Sequence, residues 1–139
     1  MDLERFVTAQ DEHGTFDAAL RELRGGRKTS HWMWFVFPQL AGLGRSPTAQ
    51  RYALDGLDEA RAFLDHPVLG PRLRAATAAV LRLADRAPED VLGPVDALKL
   101  RSSMTLFALA APEEQLFRGV LDQWWSGEPD PATTRLLER

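Results

Sequence analysis

Residues 31–37 read HWMWFVF, and how they fold decides the class of the whole chain. The alternation of bulky apolar side chains fits a strand, but a strand needs a partner and no second strand signal occurs elsewhere. Thr29 or Ser30, just upstream, is the residue type that caps a helix start, and Pro38 must end any helix that follows. The segment therefore reads as a short buried helix.

Outward from it, helical spacing recurs in both directions. Phe16, Ala19, Leu20 and Leu23 fall at i, i+3, i+4 and i+7 on one face, and Gly25 is expected to supply the left-handed stop. Leu3, Phe6 and Val7 suggest a shorter helix broken near Gly14. Downstream, Ser46-Pro47 is an N-cap and first-turn pair opening a helix toward Leu54, which Asp55-Gly56 breaks. Leu57, Ala60, Phe63 and Leu64 repeat the spacing until His66-Pro67. Leu73, Ala76, Val80, Leu81 and Ala84 mark a helix from near Gly70-Pro71 that ends before Pro88. A further one runs from Asp96 to Ala110. Pro112 and two glutamates open the helix carrying Leu116, Phe117, Val120, Leu121 and Trp124, and Asp130-Pro131 caps a last short one. The expected fold is all-α, a single compact domain over residues 1–139 with about six to eight helices and no sheet.

Bulk properties bound the function. The chain has 139 residues, 45% hydrophobic and 27% charged, enough for a core without metal or disulfide staples. A net charge of −3 supplies no global positive field, so general nucleic-acid binding is not expected. Cysteine is absent, which excludes disulfides, thiolate metal sites and a cysteine nucleophile, and fits the cytoplasm. The amino terminus has no signal-peptide pattern, and the apolar run Trp32 to Pro38 is too short to cross a bilayer, so no membrane is expected.

The chemistry is expected to gather around GGRKTS, residues 25–30. Glycines followed by Arg27 and Lys28 in front of a helix offer backbone amides and cations to an anion, and the neighbouring indole of Trp32 offers a stacking face. The bland alternative is a solvated basic turn, with the aromatic run as ordinary core. His31 is the natural acid or base, although a histidine in an apolar run is more often packed than catalytic. Were a serine nucleophile present, Ser30, Ser102 or Ser103 would pair with it, but no G-x-S-x-G turn occurs. A second polar group lies in PVDALKLRSSMTLF, where Asp96, Lys99 and Ser103 share a helix face and Ser102 lies beside it. Its bland reading has Asp96 capping the helix and bonding Lys99 locally, with the hydroxyls bonding back to carbonyls. GGRKTS lacks the order of a P-loop, GLGRSP lacks the last glycine of a dinucleotide fingerprint, and no metal-ligand spacing occurs. No metal or cofactor is expected.

The runs RFVTAQ, GRKTSHWMWFVFPQLAGLG, HPVLGPRL, DALKLRSSMTLF and GEPDPATTRLL closely resemble, in order and over nearly the whole chain, a family of small bacterial and fungal proteins known as domain of unknown function 1810. Some members carry a calpastatin-like label, which fits poorly because calpain inhibition of that kind uses extended disordered segments. The resemblance implies an all-α fold like that of a mycobacterial representative and no established activity. Its signature falls here on Gly26, Arg27, Lys28, His31, Trp32, Trp34, Pro38, Gln39, Gly42, Gly44, Ser46, Asp96, Lys99, Ser102, Ser103 and Thr105.

The leading expectation is one pocket formed where residues 26–39 pack against the helix Asp96 to Phe107. Arg27, Lys28, Trp32, Gln39, Lys99, Ser102 and Ser103 would bind a small, planar anion of the nucleotide or ADP-ribose class. His31 and Asp96 would serve hydrolysis or transfer at a phosphate or glycosidic bond. The competing expectations are an interaction module using an exposed tryptophan patch and a purely structural helical domain. The sequence gives no oligomeric state.

Overall fold

A computed structural model describes residues 2–139, and the described residues form helices joined by loops. Helix α1 (Glu4–Asp11) runs through a 3-10 turn at Glu12–Gly14 into α2 (Thr15–Arg24). The break falls at Gly14 as its spacing implies, with φ of 56° at His13 and 64° at Gly14. Phe6 of α1 and Phe16, Ala19 and Leu23 of α2 turn inward. The stop after α2 comes one residue later than expected. Gly25 keeps a right-handed φ of −80° and donates to the Arg21 carbonyl, and Gly26 takes the left-handed φ of 82°. A Cβ there would also displace the Arg86 guanidinium, whose Nη1 lies 1.8 Å from the Cβ position and donates to the Gly26 carbonyl.

HWMWFVF does contain a short helix, α3 (Met33–Val36), with Met33 and Val36 in the core. Neither Thr29 nor Ser30 caps it. Trp32 holds the N-cap position with no side-chain cap bond, and the Ser30 hydroxyl is given to Glu22 instead. Helix α4 (Pro47–Arg51) opens as read, with Ser46 Oγ accepting from the Ala49 amide at 3.1 Å. It stops before Leu54 because Leu54 is taken by another partner. Its amide donates to the Gln39 carbonyl and its carbonyl accepts from Ala41, giving one isolated parallel bridge, Leu40 to Leu54, and no sheet among the described residues.

The remaining helices are α5 (Leu57–Asp65), α6 (Leu69–Leu81), α7 (Pro88–Leu92), α8 (Pro94–Ala110), α9 (Gln115–Trp125) and α10 (Pro131–Leu137). They exceed the six to eight expected. Of the single-turn pieces, α3 and α4 are expected from proline and capping signals, whereas α7 has no counterpart in the expectation, being too short for apolar periodicity to show. The long helix α8 is the hub, packed against α3, α5, α7, α9 and α10. Its rings continue into its neighbours. Phe107 stacks at 5.6 Å from Phe63 of α5 and 5.6 Å from Phe117 of α9, each fully buried and each contributing about 2–3 kcal/mol by burial. Packing α8 at the centre fixes its first turn against the loop that follows α2. No helix of the described residues is long and apolar enough to cross a membrane.

Candidate functional site

The turn after α2 folds back on its own helix, and one carboxylate organises it. Glu22 Oε1 accepts from the amides of Thr29 at 2.8 Å and Ser30 at 3.0 Å and from Trp32 Nε1 at 2.9 Å. Its Oε2 accepts from Ser30 Oγ at 2.6 Å. Burial pushes the Glu22 pKa up, but the bonds from Ser30, Thr29 and Trp32 outweigh it and draw the pKa down to about 2. The loop amides that suggest an anion cradle are thus a cradle already filled from within.

The cations behind that turn are pointed elsewhere. The Lys28 amide donates to the Val91 carbonyl at 2.7 Å, pinning the loop to α7, and its side chain reaches the first turn of α8. There Lys28 Nζ lies 2.9 Å from Asp96 Oδ2 and 5.1 Å from the centre of the Trp32 ring. Lys99, one helical turn after Asp96, places its ammonium 3.6 Å from Asp96 Oδ1 and 4.6 Å from the Trp34 ring. Two ammoniums share one carboxylate, and each faces an indole. The group is largely sheltered, with 9% of the Lys28 side chain exposed, 25% of Lys99 and 20% of Asp96. Two positive charges against one negative leave a single net positive charge held in fixed geometry.

Distant parts of the chain therefore meet at Lys28, Trp32, Trp34, Asp96 and Lys99, and other expected residues stand apart from them. Arg27 and His31 are exposed on the loop. Gln39 is tied by its carbonyl to Leu54. Ser102 Oγ donates to Asp130 Oδ2 at 2.8 Å and back to the Leu98 carbonyl, so it fastens the α9–α10 turn. Ser103 is fully buried, and its Oγ has no hydrogen-bond partner in the described structure. Asp96 does not cap α8, whose N-cap is Gly93.

The indoles are placed differently from expectation as well. Trp32 is fully buried, with its N–H on Glu22, so it has no free face for a planar base. Trp34 is half-buried and becomes the accessible ring of the cluster. Trp124 and Trp125 are half-buried and form an edge-on pair, Trp124 Nε1 donating to the Arg86 carbonyl. The described residues thus present no exposed tryptophan patch. Their exposed large apolar side chains are Val95, Leu98 and Leu109 of α8.

Sequence reasoning missed Glu22. Its signal is a carboxylate in the last turns of a helix, seven and eight residues before two small polar residues across a double glycine, where a reversing chain brings their amides within reach. No group of three or more metal-binding side chains occurs among the described residues. A separate groove of about 730 Å³ lies between the start of α5 and α10, lined by both signs of charge, including Asp55, Glu59, Arg61 and Arg139.

Among solved structures, the chain is similar to the crystal structure of the conserved hypothetical protein Rv1873 from Mycobacterium tuberculosis. The identity is 49%, the match covers 99% of this chain and 97% of that one, and the TM-score is 0.95. No curated protein matches the chain. The family model described as a protein of unknown function, DUF1810, matches residues 1–137. With the fold and nearly the full length matched, the chain belongs to the DUF1810 family.

Proposed function

We propose that this protein binds a small, planar, anionic ligand of the nucleotide or ADP-ribose class at the Lys28–Asp96–Lys99 cluster. The observation that carries the proposal is the pair of ammoniums within ion-pair distance of one carboxylate, 2.9 and 3.6 Å, with an indole beneath each. A single net positive charge suits a singly charged group such as each phosphate of a pyrophosphate diester. A Lys99 ammonium that turns from Trp34 to a phosphate uncovers the face of a half-buried indole, and a planar base stacks there. The chain's overall charge of −3 favours a small anion held locally over a nucleic-acid polyanion.

The catalytic extension of the proposal is hydrolysis or transfer at a phosphate or glycosidic bond. His31, exposed on the loop three residues after Lys28, is the group free to move a proton, while Asp96 holds the two ammoniums in place.

Calorimetric titration with ADP-ribose, AMP and NAD tests the binding. Lys99→Met is expected to weaken ADP-ribose binding about tenfold or more, the usual size of a lost charge-assisted contact. Asp96→Asn removes the internal competitor for both ammoniums, so it is expected to lower the melting temperature and tighten anion binding. Absence of heat with all three compounds overturns the proposal. Chromatography of the incubated nucleotides tests turnover, which His31→Ala is expected to abolish while leaving affinity intact.

A further inference from the structure

Lys28 and Lys99 are the only lysines in the chain, against fifteen arginines. Where the fold needs only a positive charge it uses arginine, as in the pairs of Arg5 with Glu59, Arg61 with Asp58, Arg72 with Asp11 and Arg74 with Glu114. The two lysines are far apart in sequence, yet both ammoniums meet at Asp96, at 2.9 and 3.6 Å. Lysine at that one place points to a property that arginine lacks. A guanidinium stays protonated in proteins, whereas an amine can give up its proton and become a nucleophile.

The two amines differ in how they are held. Lys28 is 9% exposed, close to Asp96 Oδ2 and over the buried Trp32. Lys99 is 25% exposed, more loosely paired at 3.6 Å from Oδ1, over the half-buried Trp34, and it rises from the long helix α8. We infer that Lys99 is a nucleophilic amine that forms an imine with an aldehyde carbon of the ligand, with Asp96 moving the proton and Lys28 keeping the phosphate. The inference rests on the binding proposed above and deepens it. ADP-ribose ends in a ribose whose free anomeric carbon opens to an aldehyde, whereas AMP and NAD have theirs locked in glycosidic bonds.

As Lys99 turns from Trp34 to the ligand, Asp96 takes one ammonium proton and the nitrogen lone pair adds to the aldehyde carbon. The C=O pair moves to oxygen, which takes a second proton from the nitrogen to give a carbinolamine. Asp96 returns the first proton to that hydroxyl, which leaves as water while the nitrogen lone pair closes the C=N bond. An ammonium and an aldehyde thus become an iminium and water, with no oxidant, reductant or net proton, and the positive charge still faces Asp96.

The unaltered protein, mixed with Nα-acetyl-lysine as a freely exposed amine, is incubated with ADP-ribose and sodium cyanoborohydride, which reduces an imine to a stable amine. Peptide mass spectrometry then maps the adducts. Lys99 is expected to react at least about tenfold faster than the free amine, although only 25% of its side chain is exposed. Asp96→Asn is expected to bring it to the free-amine rate or below, and AMP and NAD are expected to give no adduct. If Lys99 reacts no faster than Nα-acetyl-lysine, or if Asp96→Asn leaves its rate unchanged, the inference falls, and calorimetric heat with ADP-ribose then leaves the binding site standing. Glyceraldehyde, an aldehyde without a phosphate, separates the reverse case. Fast modification of Lys99 by glyceraldehyde, with no binding of ADP-ribose, keeps the amine chemistry and removes the nucleotide class. With neither, both fall.

Discussion

Glu22 does with four hydrogen bonds what a cap or a metal does in other small domains: it ties a glycine-rich turn to the helix behind it. The bonds come from two amides, a hydroxyl and an indole, and they hold the carboxylate pKa near 2 against an ordinary 4.5. A depressed folded-state pKa stabilises the protein fully above about pH 4.5, and that contribution is lost as the pH falls through about 2. Glu22→Gln keeps the shape but gives up the charge-assisted bonds, so it is expected to lower unfolding free energy by about 2 kcal/mol at neutral pH. Relative to the unaltered protein, its acid denaturation curve should also be flatter between pH 4.5 and pH 2, as followed by circular dichroism. At this scale the sequence was legible in its chemistry but not in its pairing. The Thr29 and Ser30 amides of GGRKTS are taken by a carboxylate, and Lys28 and Lys99 converge on Asp96. That the carboxylate is the chain's own Glu22, and that Trp32 faces inward, depends on how far the turn folds back, which residue types alone do not encode.

Helices with two or more turns were legible because burial imprints a period on them. Phe16 to Leu23, Leu57 to Leu64 and Asp96 to Ala110 all lie within observed helices. Single-turn helices carry no period, and the reach of α4 was misjudged because a tertiary partner, the Gln39 carbonyl, claims the Leu54 amide. Two capping signals held, Ser46 before Pro47 and Asp130 before Pro131, while those at Thr29 or Ser30, Gly25 and Asp96 did not. Asp130 before Pro131 caps α10, and its Oδ2 collects the Thr133 amide, the Thr133 hydroxyl and the Ser102 hydroxyl. One carboxylate oxygen thereby joins the cap of α10 to the side of α8. Asp130→Ala is expected to cost about 2 kcal/mol, more than a typical N-cap, because the Thr133 amide and hydroxyl lose their acceptor and Ser102 keeps only its longer bond to the Leu98 carbonyl. Urea unfolding measures it. The loss should shrink when Ser102→Ala is made in the same chain, the signature of a shared contact.

The whole molecule is organised by one continuous apolar cluster that takes side chains from Phe6 near the start to Leu121 in α9. Phe6 meets Phe63 edge-on at 5.1 Å, Phe63 meets Phe107, and Phe107 meets Phe117, so rings from α1, α5, α8 and α9 form one connected path. Such a core leaves no seam along which a part could melt alone, and a chain of this size with one core is expected to unfold in a single cooperative step. The tryptophans supply reporters at two ends of the path: Trp32 against the α2 turn, and the Trp124–Trp125 pair at the end of α9. A variant keeping only Trp32 and another keeping only Trp124 and Trp125, the rest replaced by phenylalanine, should each show the same urea midpoint by fluorescence as by far-ultraviolet circular dichroism. Separate midpoints would mean that the loop carrying Lys28 detaches before α8 does. The lysine site would then assemble by local folding, and ADP-ribose would raise the Trp32 midpoint more than the other.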